Sequence, residues 1–303
     1  MEQTLQKHTR VDVADVLRGL AVMGIIILHS IEHFNFYSFP DTSEQSAWLN
    51  FTDKAVWDGL FFMFGGKAYA VFALLFGFSF FIMDDNQRMR GKDFRLRFCW
   101  RLILLFIIGN INAIFFTAEV LVMYSLLGFV LVLTCRLSDK KAFILACILM
   151  IQPVAIYHVI RAVCDASYVV PTIPTRALWG ATAEVQANGT FLETVKVNLW
   201  EGQLASLAWA WDNARICQTS SLFILGMLMG RRRLLSEENT HVWGYILAGA
   251  LIAFFPLYGL GNMLPRYIES RNILTPLLLI IIVGFSSSMS RCRNFKGSSA
   301  RHS

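Results

Sequence analysis

A chain of 303 residues with a mean hydropathy of +0.51, 55% hydrophobic and only 16% charged residues is too apolar for a water-soluble domain, in which about a quarter of residues are charged. Its formal net charge of +6 and pI near 9.1 sit on long apolar runs rather than on a basic patch, which removes the support for a nucleic-acid-binding protein. The six cysteines have no paired metal spacing, and this excludes a zinc module.

Apolar runs recur at 16–31, 67–83, 98–116, 120–135, 142–160, 220–230 with its upstream turn, 242–264 and 273–289. Each approaches the roughly 20 residues that a helix needs to cross a bilayer. The expected fold is therefore all-α, a polytopic integral membrane protein of about eight transmembrane helices. It forms one transmembrane domain over 1–290, with a polar basic tail over 291–303. The first run is preceded by Asp12 and Asp15 and followed by no small-residue cleavage site, so it reads as a retained span rather than a signal peptide. The stretch 53–66 is amphipathic and ends in Gly65-Gly66, which predicts an interfacial or re-entrant helix leading into the second span. After the fifth span, 161–204 forms a long outer loop, either a lid or acceptor-binding surface or an irregular structural loop. With both termini in the cytoplasm, most of the 27 lysines and arginines fall in 1–18, 84–101, 136–141, 231–241 and 291–303, and every loop obeys the positive-inside rule.

Polar groups inside such spans cost about 3 kcal/mol or more when charged, so they face protein or water and mark candidate sites. Arg18 and His29 lie eleven residues apart on the first span, which returns to within about 20° of the same helical face, and Asp15 and His33 extend that stripe by one turn each. A neutral imidazole at His29 can accept a proton from an attacking hydroxyl or amine; the alternative is a packing hydrogen bond to a neighbouring helix. Arg18 and the run Arg88, Arg90, Lys92, Arg95, Arg97, Arg101 can grip phosphates, or simply enforce topology. Lys67 opens the second span and either neutralises a carboxylate or oxyanion or snorkels to the surface. Glu119 sits in the short turn between the third and fourth spans, at the depth that topology gives His29, where a carboxylate would orient the imidazole; a solvated loop acid is the other reading. Asn110, Asn112, Gln152 and His158 read as hydrogen bonds between helices. His29 and His33 have helical metal-pair spacing, yet no acid or cysteine stands at motif distance, so no metal is expected.

Five blocks, VDVADVLRGLAVMGIIILHS (11–30), KAYAVFALLFGFSF (67–80), RLRFCWRLILLFIIGNINAIFF (95–116), AEVLVMYSLLGFVL (118–131) and LFILGMLMGRRRLL (222–235), resemble in order and spacing the YeiB family of bacterial polytopic membrane proteins. The first helix is also similar to that of membrane-bound acyltransferases, in which Arg, ten residues, then His recur, and Arg18 and His29 match that spacing. The family has Gly-Asp where this chain has Ala118-Glu119, and it continues for further helices beyond the position of Gly284, so the resemblance implies a C-terminally shortened chain. It implies a protein of the bacterial inner membrane that moves an acyl group, such as acetyl, from cytosolic acyl-CoA to an extracytoplasmic sugar or lipid acceptor. In that scheme His29 and Glu119 are catalytic, Arg18, Arg95, Arg97 and Arg101 hold the CoA phosphates, and His33 and Lys67 meet substrate. Two other classes fit the same residues: a transporter or channel whose path the intramembrane charges line, and a non-catalytic membrane partner.

Overall fold

Apolar composition with few helix breakers gives helices, and no strand, throughout the residues that the computed structural model describes, namely 12–34, 43, 45–117, 119–165, 167–169, 171, 173–236 and parts of 239–252. Three helical stretches are long and apolar enough to cross a membrane. They are Val13–Ile31 within α1 (Asp12–Phe34), the 42-residue stretch Ala47–Arg88 that holds α2 (Ala47–Phe64) and α3 (Lys67–Arg88), and α4 (Arg95–Ala113). The helix expected over 53–66 begins earlier, at Ala47, because the Ser46 hydroxyl accepts from the Leu49 N–H at 3.3 Å and caps it there. It ends where expected, at Gly65-Gly66, with Gly66 at φ +70°.

The apolar run 120–135 forms α5 (Val120–Leu127) and α6 (Phe129–Thr134), separated by a turn at Gly128, where any Cβ would strike the Leu102 side chain of α4. The run 142–160, expected as one span, is two helices, α7 (Asp139–Met150) and α8 (Pro153–Cys164). Pro153 has no N–H to donate and drives the preceding residue out of the right-handed helical region; Gln152 accordingly adopts φ 62°, ψ 65°. The segment 161–204 is not an irregular loop. Much of it is helical, in α9 (Thr175–Asn188), α10 (Phe191–Val197), a π-turn over Asn198–Gly202 and the start of α11 (Gln203–Asp212). Thr190 and Glu193 form a reciprocal capping box at the start of α10. The π-turn and α11 are fastened to the turn after α4: Asn198 donates to the Ile114 carbonyl at 2.9 Å and Ser206 to the Thr117 carbonyl at 2.7 Å. Cys164 and Cys217 are both free thiols. The runs 242–264 and 273–289 lie largely outside the described residues, as does the tail 291–303.

The described residues fall into two units, 76–232 and 12–75 with 233–252, the boundary lying within α3. In the first unit α12 (Arg215–Arg231) is buried along nearly its whole length and packs on α5, α6, α7 and α11. Close van der Waals fit and interhelical hydrogen bonds hold this unit together. Two glycines supply the fit: a Cβ at Gly77 would collide with the Phe223 backbone of α12, and one at Gly230 with the Phe81 ring. Around them Phe76 stacks on Phe223 with centroids 4.7 Å apart, and Phe80 meets Phe98 edge-on at 4.6 Å. Ser221 adds a hydrogen bond to the Ala146 carbonyl of α7 at 2.7 Å. In the second unit α1 lies on α2, and Gly24 admits the Phe64 ring.

The α3–α4 turn carries a pH-sensitive contact. Arg95 donates to the Asp93 carboxylate through Nε at 2.9 Å and NH2 at 2.7 Å, and its backbone N–H also reaches it, so the Asp93 pKa lies well below the usual carboxylate range. A depressed folded pKa contributes stability that is present above the unfolded value near 3.9 and is lost as pH falls toward the folded one. The stability difference between wild type and Asp93→Asn should therefore be constant above about pH 5 and shrink below about pH 4. Thermal melts across that range check this; a difference that grows on acidification would contradict it.

Candidate functional site

The first span is an unbroken helix from Asp12 to Phe34, so Arg18 and His29 do share one face, about 16 Å apart along the axis. Arg18 is not an isolated charge: its NH1 donates to Asp15 Oδ1 at 2.8 Å, one turn earlier on the same helix. The buried stripe of α1 is Ala14, Leu17 and Ala21, and the Arg18–His29 face adjoins it rather than forming it. His29 is exposed. The His33 side chain lies outside the described residues. Lys67, in the same unit, is buried, its ammonium donating to the Phe62 carbonyl and lying over the Phe62 ring at 5.0 Å. It fastens the α2–α3 turn from within rather than snorkelling.

Glu119 belongs to the other unit. Its carboxylate is buried, accepts from the Leu121 N–H at 2.6 Å as the N-cap of α5, and accepts from Asn112 of α4. Asn112 thus makes the interhelical hydrogen bond expected of it, whereas Asn110 donates to the Phe106 carbonyl of its own helix. His158 pairs with the Tyr168 hydroxyl at 2.7 Å. The Glu119→Ala substitution removes both the cap and the Asn112 partner and should cost about 1–2 kcal/mol in thermal or denaturant unfolding. The Glu119→Gln variant keeps an acceptor oxygen and should lose less than half of that; equal losses would mean that charge, not capping, is what matters.

The arginines of the basic run separate into two sets. Arg95 is engaged by Asp93, and Arg88 by Asp84 at 2.7 Å. Arg97 and Arg101 face a cavity of about 720 Å³ together with Arg90, Met83, Phe94 and Trp100. No acid lines this cavity, and among the described residues neither Arg90 nor Arg97 has an acidic partner. Gln87 also lines it, with its Oε1 buried and without a hydrogen-bond partner among the described residues. A second cavity of about 450 Å³ is balanced: Asp84, Asp85 and Asp139 face Arg88, Arg136 and Arg231. Opposed charges already satisfied by one another join helix ends, whereas three arginines without an acid invite an anion. Sequence reasoning grouped Arg95 with Arg97 and Arg101 because it could not see which arginines Asp93 neutralises. It missed Gln87 and Trp100 as cavity residues; Trp100, four residues before Leu104 in an otherwise apolar face, was the available signal. Among the described residues no three His, Cys, Asp or Glu side chains gather in a way that could hold a metal ion.

No family model matches this chain, and no solved structure does. It is similar to "Uncharacterized protein YxaH" of Bacillus subtilis (strain 168), 34% identical over 148 residues, which cover 46% of this chain and 36% of that protein. It is also similar to "Uncharacterized 39.9 kDa protein in amylase 3'region" of Bacillus acidopullulyticus, 25% identical over 142 residues, 47% of this chain and 39% of that one. The matches span less than two fifths of either relative.

Proposed function

We propose that this chain is a YeiB-type protein of the bacterial inner membrane, with about eight spans and both termini cytoplasmic, that transfers an acyl group from cytosolic acyl-CoA to an extracytoplasmic hydroxyl or amine. The observation that supports this best is the single face of unbroken α1 that carries an ion-paired arginine toward one end and an exposed histidine toward the other. In the reaction the acceptor oxygen or nitrogen attacks the thioester carbonyl, its proton passes to the His29 imidazole, the C–S bond breaks, and the CoA thiolate leaves to be protonated in water. Arg18, braced by Asp15, attracts the CoA phosphates.

Reconstituted protein supplied with radiolabelled acetyl-CoA and an oligosaccharide acceptor tests this. The His29→Ala and Arg18→Ala variants should each lose at least a hundredfold in rate while inserting normally, and Arg18→Lys should recover only part, because a point charge replaces a planar fork. Full activity of the His29→Ala protein removes His29 from the role of base. A transporter reading has one observation in its favour: the run 142–160 is broken at Gln152-Pro153, as discontinuous helices are in transporters. Acetyl-CoA-independent uptake of a solute by the same proteoliposomes would favour it.

A further inference from the structure

The cavity at the start of α4 joins positive charge to an apolar wall, and its apolar character continues down the helix. Arg97, Arg101, Leu104, Ile108 and Ile111 follow one another at offsets of four, three, four and three residues, so they occupy one face of α4. The buried face is on the other side, at Phe98, Leu102, Gly109 and Ala113. Leu104 is 41% exposed, Ile108 54% and Ile111 55%, a strip of hydrocarbon that no part of the described unit covers. From Arg101 to Ile111 this strip runs about 15 Å, half of the roughly 30 Å hydrocarbon thickness of a bilayer. The ligand that fits is therefore an amphiphile: a phosphate for the arginines, and a chain as long as one leaflet is deep. Gln87 narrows the headgroup. Its buried Oε1 is an acceptor without a partner among the described residues, and a headgroup bearing hydroxyl donors can satisfy it, which a choline headgroup cannot.

We propose that this cavity is a binding site for an anionic phospholipid with a hydroxylated headgroup, its phosphate on Arg97 and Arg101 with Arg90 beside them, its headgroup hydroxyl on Gln87, and its acyl chain along Leu104, Ile108 and Ile111. Trp100, 60% exposed and on the flank of that face, lies at the junction of head and chain, the level at which indole rings settle in membranes. The site stands whether or not the chain transfers acyl groups.

The test uses the full chain purified into nanodiscs of phosphatidylcholine and titrated with phosphatidylglycerol, read by native mass spectrometry and by quenching of tryptophan fluorescence with chains brominated on the phosphatidylglycerol. Phosphatidylglycerol should be retained in preference to phosphatidylcholine, and the Arg97→Gln/Arg101→Gln double variant should weaken its retention at least tenfold. The Arg232→Gln variant, which removes an equal kind of charge from an exposed arginine paired with Asp139, should not. Should the double variant misfold, Trp100→Phe still decides: it should remove the largest single share of the quenching. The Gln87→Leu variant should erode the preference for phosphatidylglycerol over phosphatidic acid. Equal retention of phosphatidylglycerol by the double variant, loss matched by Arg232→Gln, or quenching unchanged in Trp100→Phe would each overturn the site. Arginine-dependent binding of palmitoyl-CoA without any preference for phosphatidylglycerol would overturn it too, and would assign the cavity to the thioester.

Discussion

The Gly77→Leu variant is expected to yield no folded protein, and Gly77→Ala to lose about 3 kcal/mol, the upper end of what overpacking costs. A Cβ at this position of α3 meets the Phe223 carbonyl and Cα of α12, and backbone cannot rotate aside as a flexible side-chain tip can. The helices would have to separate, and separation undoes the Phe76–Phe223 stack beside the contact. The control is Gly180→Ala in α9, where no heavy atom lies within 4 Å of the added Cβ. There the substitution should gain up to about 1 kcal/mol, the difference in helix propensity between the two residues. Melting temperatures of the purified variants in one detergent provide the measurement, and equal behaviour of the two glycines would mean that α3 and α12 do not meet closely.

Arg231→Met should destabilise by about 3 kcal/mol, in the range for breaking a mostly buried charge pair. Its side chain is only 16% exposed and ends in four contacts at once: the Cys135 carbonyl at 2.5 Å, the Leu137 carbonyl at 2.9 Å, Asp139 at 3.2 Å and the Met227 sulfur. The two carbonyls belong to the turn after α6, where helix-end acceptors have no intrahelical donors. Arg88 also reaches the Cys135 carbonyl, at 3.2 Å, and keeps the loss from being larger. An ammonium cannot span this set, so Arg231→Lys should fall between wild type and Arg231→Met. Arg232, 63% exposed though paired with the same Asp139, should tolerate Arg232→Met to within about 1 kcal/mol. A melt series in which Arg232 matters as much as Arg231 would show that the pairing with Asp139, rather than the carbonyl contacts, holds the turn.

The helical class and the first three long apolar stretches were legible because hydropathy and run length can be read directly off the residues. Helix ends were less legible. Pro153 stood in plain view inside the run 142–160, but averaging over an apolar window hides a single backbone donor that is missing. The segment 161–204 looked irregular because its two prolines lie near its start, while the capping box at Thr190 and Glu193, a local signal, went unread. Arg18 and His29 were found through periodicity alone, and the unbroken helix keeps them on one face. Which arginines remain available to a ligand depends on Asp93, Asp84 and Asp139, partners that fold from turns and distant helix ends, and no spacing rule reveals them. Glu119 was placed correctly at the end of a helical hairpin, but the identity of its partner, Asn112, depends on the register of α4 against α5.

The polar run Gln218-Thr219-Ser220-Ser221, fully enclosed in α12, has a consequence for how the chain is made. In the membrane protein proposed above, four successive hydrogen-bonding side chains would weaken the partitioning of this 17-residue helix into lipid, so α12 would be a poor candidate to leave the insertion machinery alone. It needs a surface that already offers acceptors and close fit, and α7, with the Ala146 carbonyl waiting for Ser221, has been synthesised before it. On that proposal, biogenesis is ordered by the protein's own interior: the earlier helices would gather first and act as the solvent into which α12 is released.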